Sequence, residues 1–210
     1  MMLRQSLRLY LVTDRQMCAQ IGVVPTVCRA VAGGVTMVQL RDKTATTAER
    51  IDVARALRQA LVGTGVPIVI NDDIDAAIAA DVDGAHIGQG DMSPAQARAL
   101  LGPVKILGLS CETPKAVQAA DPRLVDYLGL GPVFATATKT DHAQPLGFDG
   151  LAQLVAVAAL PTVAIGGLKA AHANDVRATG ADGIAVVSGI CGQPDPAAAA
   201  RAFHVQEATQ

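Results

Sequence analysis

Short runs rich in β-branched and aliphatic residues recur eight times along the chain, and each ends in glycine or polar residues. The runs are LYLVTD (9–14), MVQLR (37–41), IVIND (68–72), GAHIGQ (84–89), KILGLS (105–110), DYLGLGPV (126–133), TVAIGG (162–167) and GIAVVSG (183–189). Their starts lie 28, 31, 16, 21, 21, 36 and 21 residues apart, and Ala-rich segments with helical periodicity occupy most of the intervals. This alternation favours a parallel sheet covered by helices.

We predict from this pattern a compact, single-domain (β/α)8 barrel (TIM barrel) with eight parallel strands, covering residues 1–210. The chain has neither a Ser/Gly-rich linker nor a block of like charge that would divide it. The competing fold is an open doubly wound sheet, which would carry a G-x-G-x-x-G turn after its first strand. That turn is missing, and polar residues follow nearly all eight runs, as expected when one barrel mouth collects them.

The composition excludes several classes of protein. Half of the residues are hydrophobic and 17% are charged, which excludes a disordered chain. A formal net charge of −2 and 2% aromatic residues argue against a nucleic-acid partner, which needs a basic field or stacking platforms. Because the four cysteines (Cys18, Cys28, Cys111, Cys191) form no CxxC pair, we expect free thiols in a reducing, cytoplasmic environment.

One uncharged stretch, residues 150–168, is nearly long enough to span a bilayer. Pro161 divides it into a helix-like half, LAQLVAVAAL, and a strand-like half, TVAIGG, which ends at a glycine pair. We therefore predict one buried α/β unit at this place and no membrane partner.

The second run continues into QLRDK (39–43), which places an amide and two cations at the predicted barrel mouth. Gln39 and Arg41 are two residues apart and face the same side of a strand, and Lys43 follows just beyond it. Arginine offers a planar fork and lysine a point charge to a polyanionic ligand. Taken alone, the segment fits a solvated cationic strand end equally well.

Acidic residues follow the third and fourth runs. Asp72 and Asp91 are candidate Mg²⁺ ligands, because this ion prefers oxygen donors and often bridges to substrate phosphates. An aspartate after a strand is more often a helix N-cap, and Asp73 fits that role. His86 is interpreted as a packed wall residue, since neither His nor Cys lies at metal-ligand spacing from it.

Two further regions favour phosphate binding. Thr136, Thr138 and Lys139 place two hydroxyls and a cation in the long loop after the sixth run, although a threonine-rich surface loop is the alternative. Gly166-Gly167 and Ser188-Gly189 end the seventh and eighth runs, where many barrels bind a phosphate on backbone N–H groups. Together with the cations and carboxylates, these turns predict a site for two phosphorylated small molecules that are joined or exchanged.

These segments together resemble thiamine-phosphate synthases, also called thiamine-phosphate pyrophosphorylases. The resemblance rests on YLVTDR (10–15), VQLRDK (38–43), INDD (70–73), DGAHIGQGD (83–91), GLS (108–110), DYLGLGPVFATATK (126–139), AIGG (164–167) and ADGIAVVSGI (181–190). It implies a (β/α)8 barrel and a Mg²⁺-dependent transferase of thiamine biosynthesis. Such an enzyme couples a hydroxymethylpyrimidine diphosphate with a thiazole phosphate, giving thiamine monophosphate and pyrophosphate.

The resemblance also implies roles for individual residues. The pyrimidine diphosphate would be bound by Gln39, Arg41, Lys43, Asn71, Ser110 and Lys139, of which Arg41, Lys43, Ser110 and Lys139 form the catalytic set. The thiazole phosphate would be bound by Thr136, Thr138, Gly167, Val187 and Ser188, and Mg²⁺ by Asp72 and Asp91. The implied reaction is dissociative, because the diphosphate leaves before the thiazole nitrogen attacks. Catalysis would then rest on leaving-group electrostatics and positioning, with no protein nucleophile.

Several residues depart from the family pattern. Ala135 and Ala137 stand where the family often has prolines, and Cys111-Glu112 follows GLS where a histidine is common. The related thiazole tautomerases use a histidine near this position, so the synthase is favoured over a tautomerase-like barrel. The remaining hypotheses are a Schiff-base lyase, which needs a lysine inside a strand, and a non-catalytic phosphate-binding protein, which needs no leaving-group clamp. The sequence leaves homo-oligomer formation open.

Overall fold

The computed structural model describes residues 3–136 and 144–204 and contains a closed barrel of eight parallel strands. The strands are β1 (Leu9–Val12), β2 (Met37–Leu40), β3 (Ile68–Asn71), β4 (Gly84–Ile87), β5 (Ile106–Cys111), β6 (Tyr127–Leu130), β7 (Thr162–Ala164) and β8 (Gly183–Val186). Each strand pairs with its neighbours in chain order, and β8 pairs with β1 to close the barrel. The predicted (β/α)8 fold and its eight strands are confirmed, although most strands end before the polar residues of each run.

Helices connect the strands. They are α1 (Leu3–Ser6), α2 (Val23–Ala32), α3 (Thr47–Ala60), α4 (Ile74–Ala79), α5 (Pro94–Leu101), α6 (Pro114–Ala119), α7 (Gly147–Ala156), α8 (Ala173–Ala178), which a 3-10 turn (Ala170–His172) precedes, and α9 (Pro196–Arg201). At the start of α5, the Ser93 hydroxyl accepts a hydrogen bond from the backbone, and Pro94 occupies the first turn. The uncharged stretch 150–168 forms most of α7 followed by β7, which confirms the predicted α/β unit.

Neither a disulfide nor a membrane span is found in the described parts of the chain. All four cysteines are free. No helix there combines the length and the hydropathy needed to cross a bilayer.

Alternating side chains of the strands divide the core into two parts. The side chains that face the barrel axis form a small interior cluster: Leu7, Tyr10, Val12, Met37, Val69, Tyr127, Val163 and Ala185. The residues between them point outward and pack with the helices in a larger aliphatic core. Because Leu7 precedes β1 and belongs to the interior cluster, apolar side chains fill the amino-terminal end of the barrel.

Four side chains tie the strands together in pairs at that end of the barrel. Thr36, Asp83, Asp126 and Asp182 each stand directly before an even-numbered strand. Their side-chain oxygens accept hydrogen bonds of 2.9, 2.7, 2.7 and 2.8 Å from the backbone N–H groups of Leu9, Ile68, Leu107 and Thr162. Their own backbone N–H groups donate back to the carbonyls of the same four strand residues at 2.8–3.0 Å. We call these reciprocal contacts the strand clips.

Candidate functional site

A cavity of about 490 Å³ opens at the carboxyl ends of the strands, a volume typical of small-molecule sites. The residues that the family resemblance assigns to substrate or metal binding and that lie within the described ranges all line it: Gln39, Arg41, Lys43, Asn71, Asp72, Asp91, Ser110, Thr136, Gly167, Val187 and Ser188. Thr138 and Lys139 lie outside the described residues. The barrel thus brings residues from six strand ends and from the loop after β6 to one mouth, as the sequence predicts.

The end of β2 forms a cationic wall of the cavity. Gln39 is buried in the strand, and Arg41 and Lys43 follow it. The Arg41 backbone N–H donates to the hydroxyl of Thr13 at 2.9 Å, so the segment that leaves β2 is fixed to the segment that leaves β1. The intervening Asp42 accepts hydrogen bonds from the backbone of its own turn and does not line the cavity. Arg41 and Lys43, in contrast, both line the cavity.

Asp72 and Asp91 form an acidic pair where β3 and β4 end. Asp72 has a left-handed φ of 63°, which is uncommon for a residue with a side chain, and the Asn71 amide donates to its carboxylate at 2.5 Å. The Gly88 backbone N–H donates to the Asp91 carboxylate at 2.7 Å. Two effects raise the pKa of Asp72 to about 6: its carboxyl group loses hydration, and the Asp91 carboxylate lies beside it. Two carboxylates held this close favour a shared cation.

This donor set fits a Mg²⁺ ion that protein and ligand bind together. Asp72 and Asp91 offer hard carboxylate oxygens, and within residues 3–136 and 144–204 no group of three or more His, Cys, Asp or Glu side chains could form a closed metal cage. Mg²⁺ is commonly held by one or two carboxylates, while waters and substrate phosphates complete its octahedron. The pair therefore suits a cation whose remaining ligands come from a phosphorylated molecule.

A chain of polar side chains crosses the barrel interior at the base of the cavity. The Gln39 amide nitrogen donates to Tyr10 Oη at 2.8 Å, and Tyr10 Oη lies 2.8 Å from Tyr127 Oη. Tyr127 Oη lies 2.9 Å from His86 Nδ1, and His86 Nε2 lies 2.9 Å from Ser110 Oγ. Burial raises the pKa of both tyrosines, so both phenols keep their hydrogens. We call these five linked side chains the interior chain.

The sequence motifs did not predict the interior chain. His86 does lie in the barrel wall and is only 8% exposed, but its contact with Ser110 was not predicted. The signal for it is the two-residue alternation that turns Tyr10, His86 and Tyr127 inward, together with two glycines that leave space for them. A side chain at Gly108 would overlap the Tyr127 ring and His86 Nδ1, and one at Gly129 would lie 3.2 Å from the His86 ring.

The ends of β7 and β8 form the opposite wall. Within the part of the chain that the structure describes, the backbone N–H groups of Gly167, Ser188 and Gly189 donate no hydrogen bond, which leaves them for an anion. Gly166 and Gly167 have φ values of 103° and 65°, which favour glycine. A side chain at Gly166 would also lie 2.6 Å from Pro132, so this glycine allows the loop after β6 to pack closely.

An aromatic cluster holds the start of that loop. The Phe134 ring lies edge-to-face on Phe148, with centroids 5.1 Å apart, and 5.0 Å from the His172 ring. The Phe134 backbone N–H donates to the Gly166 carbonyl at 3.0 Å. These contacts place Thr136 at the cavity, two residues further along.

A closed (β/α)8 barrel with a charged cavity at the carboxyl ends of its strands has the architecture of a TIM-barrel enzyme. A family model described as thiamine monophosphate synthase matches residues 9–190. The thiamine-phosphate synthase of Psychrobacter sp. (strain PRwf-1) is 52% identical over 204 residues, which cover 96% of this chain and 95% of that protein. The corresponding protein of Xanthobacter autotrophicus is 52% identical over 197 residues, covering 94% and 93%.

A solved structure supports the same relationship. Thiamine phosphate pyrophosphorylase from Pyrococcus furiosus matches with a TM-score of 0.88 and 35% identity, over 99% of this chain and 100% of that one. The chain belongs to the thiamine monophosphate synthase family, and it is an enzyme of the transferase class. The resemblance stated from the sequence motifs is thereby confirmed.

Proposed function

We propose that the chain couples 4-amino-2-methyl-5-(diphosphooxymethyl)pyrimidine with 4-methyl-5-(2-phosphoethyl)thiazole to give thiamine monophosphate and pyrophosphate. With the 2-carboxy form of the thiazole, CO2 is released as well. The carbon–oxygen bond to the diphosphate breaks first, and its electron pair leaves with the diphosphate. The thiazole nitrogen then forms the new carbon–nitrogen bond. One observation carries the proposal. The charged residues that follow β2 to β4 line one side of the cavity, and the backbone of Gly167 and Ser188, whose N–H groups donate no hydrogen bond among the described residues, lines the opposite side.

The charged wall suits the departing diphosphate. Arg41 can bind two phosphate oxygens with its planar fork, Lys43 adds a point charge, and the Asn71 amide adds a hydrogen-bond donor. Lys139 joins this set by the family resemblance alone. Asp72 and Asp91 would hold Mg²⁺, which when bound neutralises the negative charge that grows on the diphosphate oxygens. These interactions strengthen as the bond breaks, which is the condition for acceleration.

The opposite wall suits the phosphate of the thiazole. The N–H groups of Gly167 and Ser188, beside Thr136 and Val187, form an anion site of backbone donors, and Thr138 joins them by resemblance. An anchored phosphate holds the thiazole nitrogen facing the pyrimidine methylene carbon. Departure of the diphosphate leaves a cation at the pyrimidine methylene carbon. Ile165 and Ala185 add apolar surface between the walls, which disfavours capture of this cation by water.

The test is a coupling assay with both phosphorylated heterocycles and Mg²⁺, in which product is oxidised to fluorescent thiochrome. We expect product from the wild type, its loss after EDTA treatment and its return on addition of Mg²⁺. Arg41→Ala should lower kcat by about 10²-fold or more, the typical effect of removing a donor to developing negative charge.

The matched control is Arg15→Ala. Arg15 is an exposed arginine that lies 3.5 Å from Asp42 and does not line the cavity, so its removal should leave the rate unchanged. Equal losses of kcat in Arg41→Ala and Arg15→Ala would show that Arg41 acts only through the general charge of the surface. Absence of product from folded, Mg²⁺-supplied wild type would contradict the proposal, and thiazole isomerisation and phosphate binding without turnover would be assayed next.

A further inference from the structure

The interior chain has a direction, because each member carries a limited number of hydrogens. The Gln39 amide nitrogen can only donate, so Tyr10 Oη accepts there and gives its one hydrogen to Tyr127 Oη. Tyr127 Oη already accepts a hydrogen from Tyr10, so it gives its own to His86 Nδ1. A ring nitrogen that accepts is unprotonated, which puts the hydrogen of a neutral imidazole on Nε2. His86 Nε2 then donates to Ser110 Oγ.

The reverse direction leaves a buried hydrogen without an acceptor. If Ser110 donated to His86, then His86 would donate to Tyr127, and Tyr127 to Tyr10. Tyr10 Oη would then accept from both Tyr127 and Gln39, and its own hydrogen would have no acceptor among the described residues. Tyr10 is only 1% exposed, and an unsatisfied hydroxyl in such a place is costly. In the forward direction every hydroxyl and ring hydrogen of the interior chain up to Ser110 has an acceptor, and only the Ser110 hydrogen is left for the cavity.

We propose that His86 is a positioning residue: held as the neutral Nε2–H tautomer, it makes Ser110 direct its hydroxyl hydrogen into the cavity, toward the anionic leaving group. This inference rests on the proposed function for the identity of that leaving group. The Ser110 backbone is fixed independently, because the Gln89 amide donates to the Ser110 carbonyl at 2.7 Å. The hydroxyl is thus a donor whose orientation is set before any ligand binds, which removes the cost of reorienting it during the reaction.

The first test reads the tautomer directly and needs no substrate. Proton–nitrogen correlation spectra of the ¹⁵N-histidine-labelled full chain distinguish protonated from unprotonated ring nitrogens. The His86 signals are assigned by elimination, with glutamine substitutions at His142, His172 and His204. We expect His86 to carry its hydrogen on Nε2 in the ligand-free protein. A His86 signal with the hydrogen on Nδ1 overturns the proposal.

The second test breaks the interior chain away from the ligand. Tyr127 is fully buried and does not line the cavity, so Tyr127→Phe removes one link without touching a ligand contact. We expect the second His86 tautomer to appear, and kcat to fall by up to about a hundredfold with KM little changed. In a Ser110→Ala background, which already lacks the hydroxyl, Tyr127→Phe should cause no further loss.

Met37→Leu serves as the control for packing, because Met37 belongs to the same interior cluster and does not line the cavity. It should retain wild-type kcat. A loss from Tyr127→Phe that persists in the Ser110→Ala background would overturn the proposal, since Tyr127 would then act through another group. The two proposals fail separately: an inactive wild type contradicts the coupling reaction, while the tautomer spectrum still tests the interior chain.

Discussion

Single residues set the geometry of the cavity floor, and Gly108 is one whose position leaves no room for a side chain. The Tyr127 ring and His86 Nδ1 occupy the space that a side chain at Gly108 would need. We expect Gly108→Ala to displace both groups and to lower the free energy of unfolding by about 1–3 kcal/mol, the usual cost of overpacking a core. We also expect kcat to fall by more than the loss of folded protein explains, because Ser110 loses its contact with His86.

Urea denaturation combined with the thiochrome assay measures both effects. Gly90→Ala is the control for stability, because a methyl at Gly90 meets no atom within 4 Å. A Gly108→Ala variant as stable and active as the wild type would mean that the interior chain tolerates a shift of the Tyr127 ring.

At the level of elements, Asp73 joins two helices directly behind the acidic pair. Its carboxylate accepts hydrogen bonds from the Ala76 backbone N–H, the Thr47 hydroxyl and the Arg50 guanidinium, each at 2.9 Å. It thereby caps α4, as predicted, and holds α4 against α3. Burial raises the pKa of Asp73, but these bonds outweigh it and keep the pKa below its ordinary value.

A lowered pKa means that the native state favours the charged form of Asp73. Its stabilising contribution is therefore complete above the ordinary aspartate pKa of about 4 and is lost as the pH falls through the lower native value. We expect Asp73→Ala to destabilise the protein by roughly 1–2 kcal/mol at neutral pH, and by less in acid. Urea denaturation at several pH values measures this. Asp73→Asn keeps a capping side chain and should lose only the charge-dependent part, so equal losses in both variants at all pH values would contradict the assignment.

The elements that could be predicted from the sequence are those whose cause is local. Strand runs, the Ser93 and Asp73 caps and the glycine turns follow from neighbouring residues, and barrel closure then brings the predicted site residues to one mouth. The interior chain depends on which inward side chains meet inside the barrel, and it joins residues far apart in sequence, such as His86 and Tyr127, which are 41 residues apart. That information lies in strand register and interior packing, which local sequence patterns do not specify.

Across the whole molecule, chemistry and stability are placed at opposite ends of the barrel. The site occupies the carboxyl ends of the strands, and the strand clips occupy the amino ends. We expect Asp83→Ala to lower the free energy of unfolding by about 1–3 kcal/mol, because the Ile68 backbone N–H loses its acceptor inside the structure. Turnover per folded molecule should match the wild type, as measured by urea denaturation and the thiochrome assay. A selective loss of turnover would show that the two ends are coupled.

The strand clips also affect the order in which the barrel can fold while the chain is being synthesised. Each one joins residues only 27, 15, 19 or 20 positions apart, and each joins an odd-numbered strand to the even-numbered strand that follows it. Contacts this local form early, because little chain entropy is lost in closing them. During synthesis on the ribosome, each pair of strands can therefore form its strand clip as soon as the second strand of the pair emerges. Pairing of β8 with β1 then closes the barrel, joining the strand pair made last to the strand pair made first.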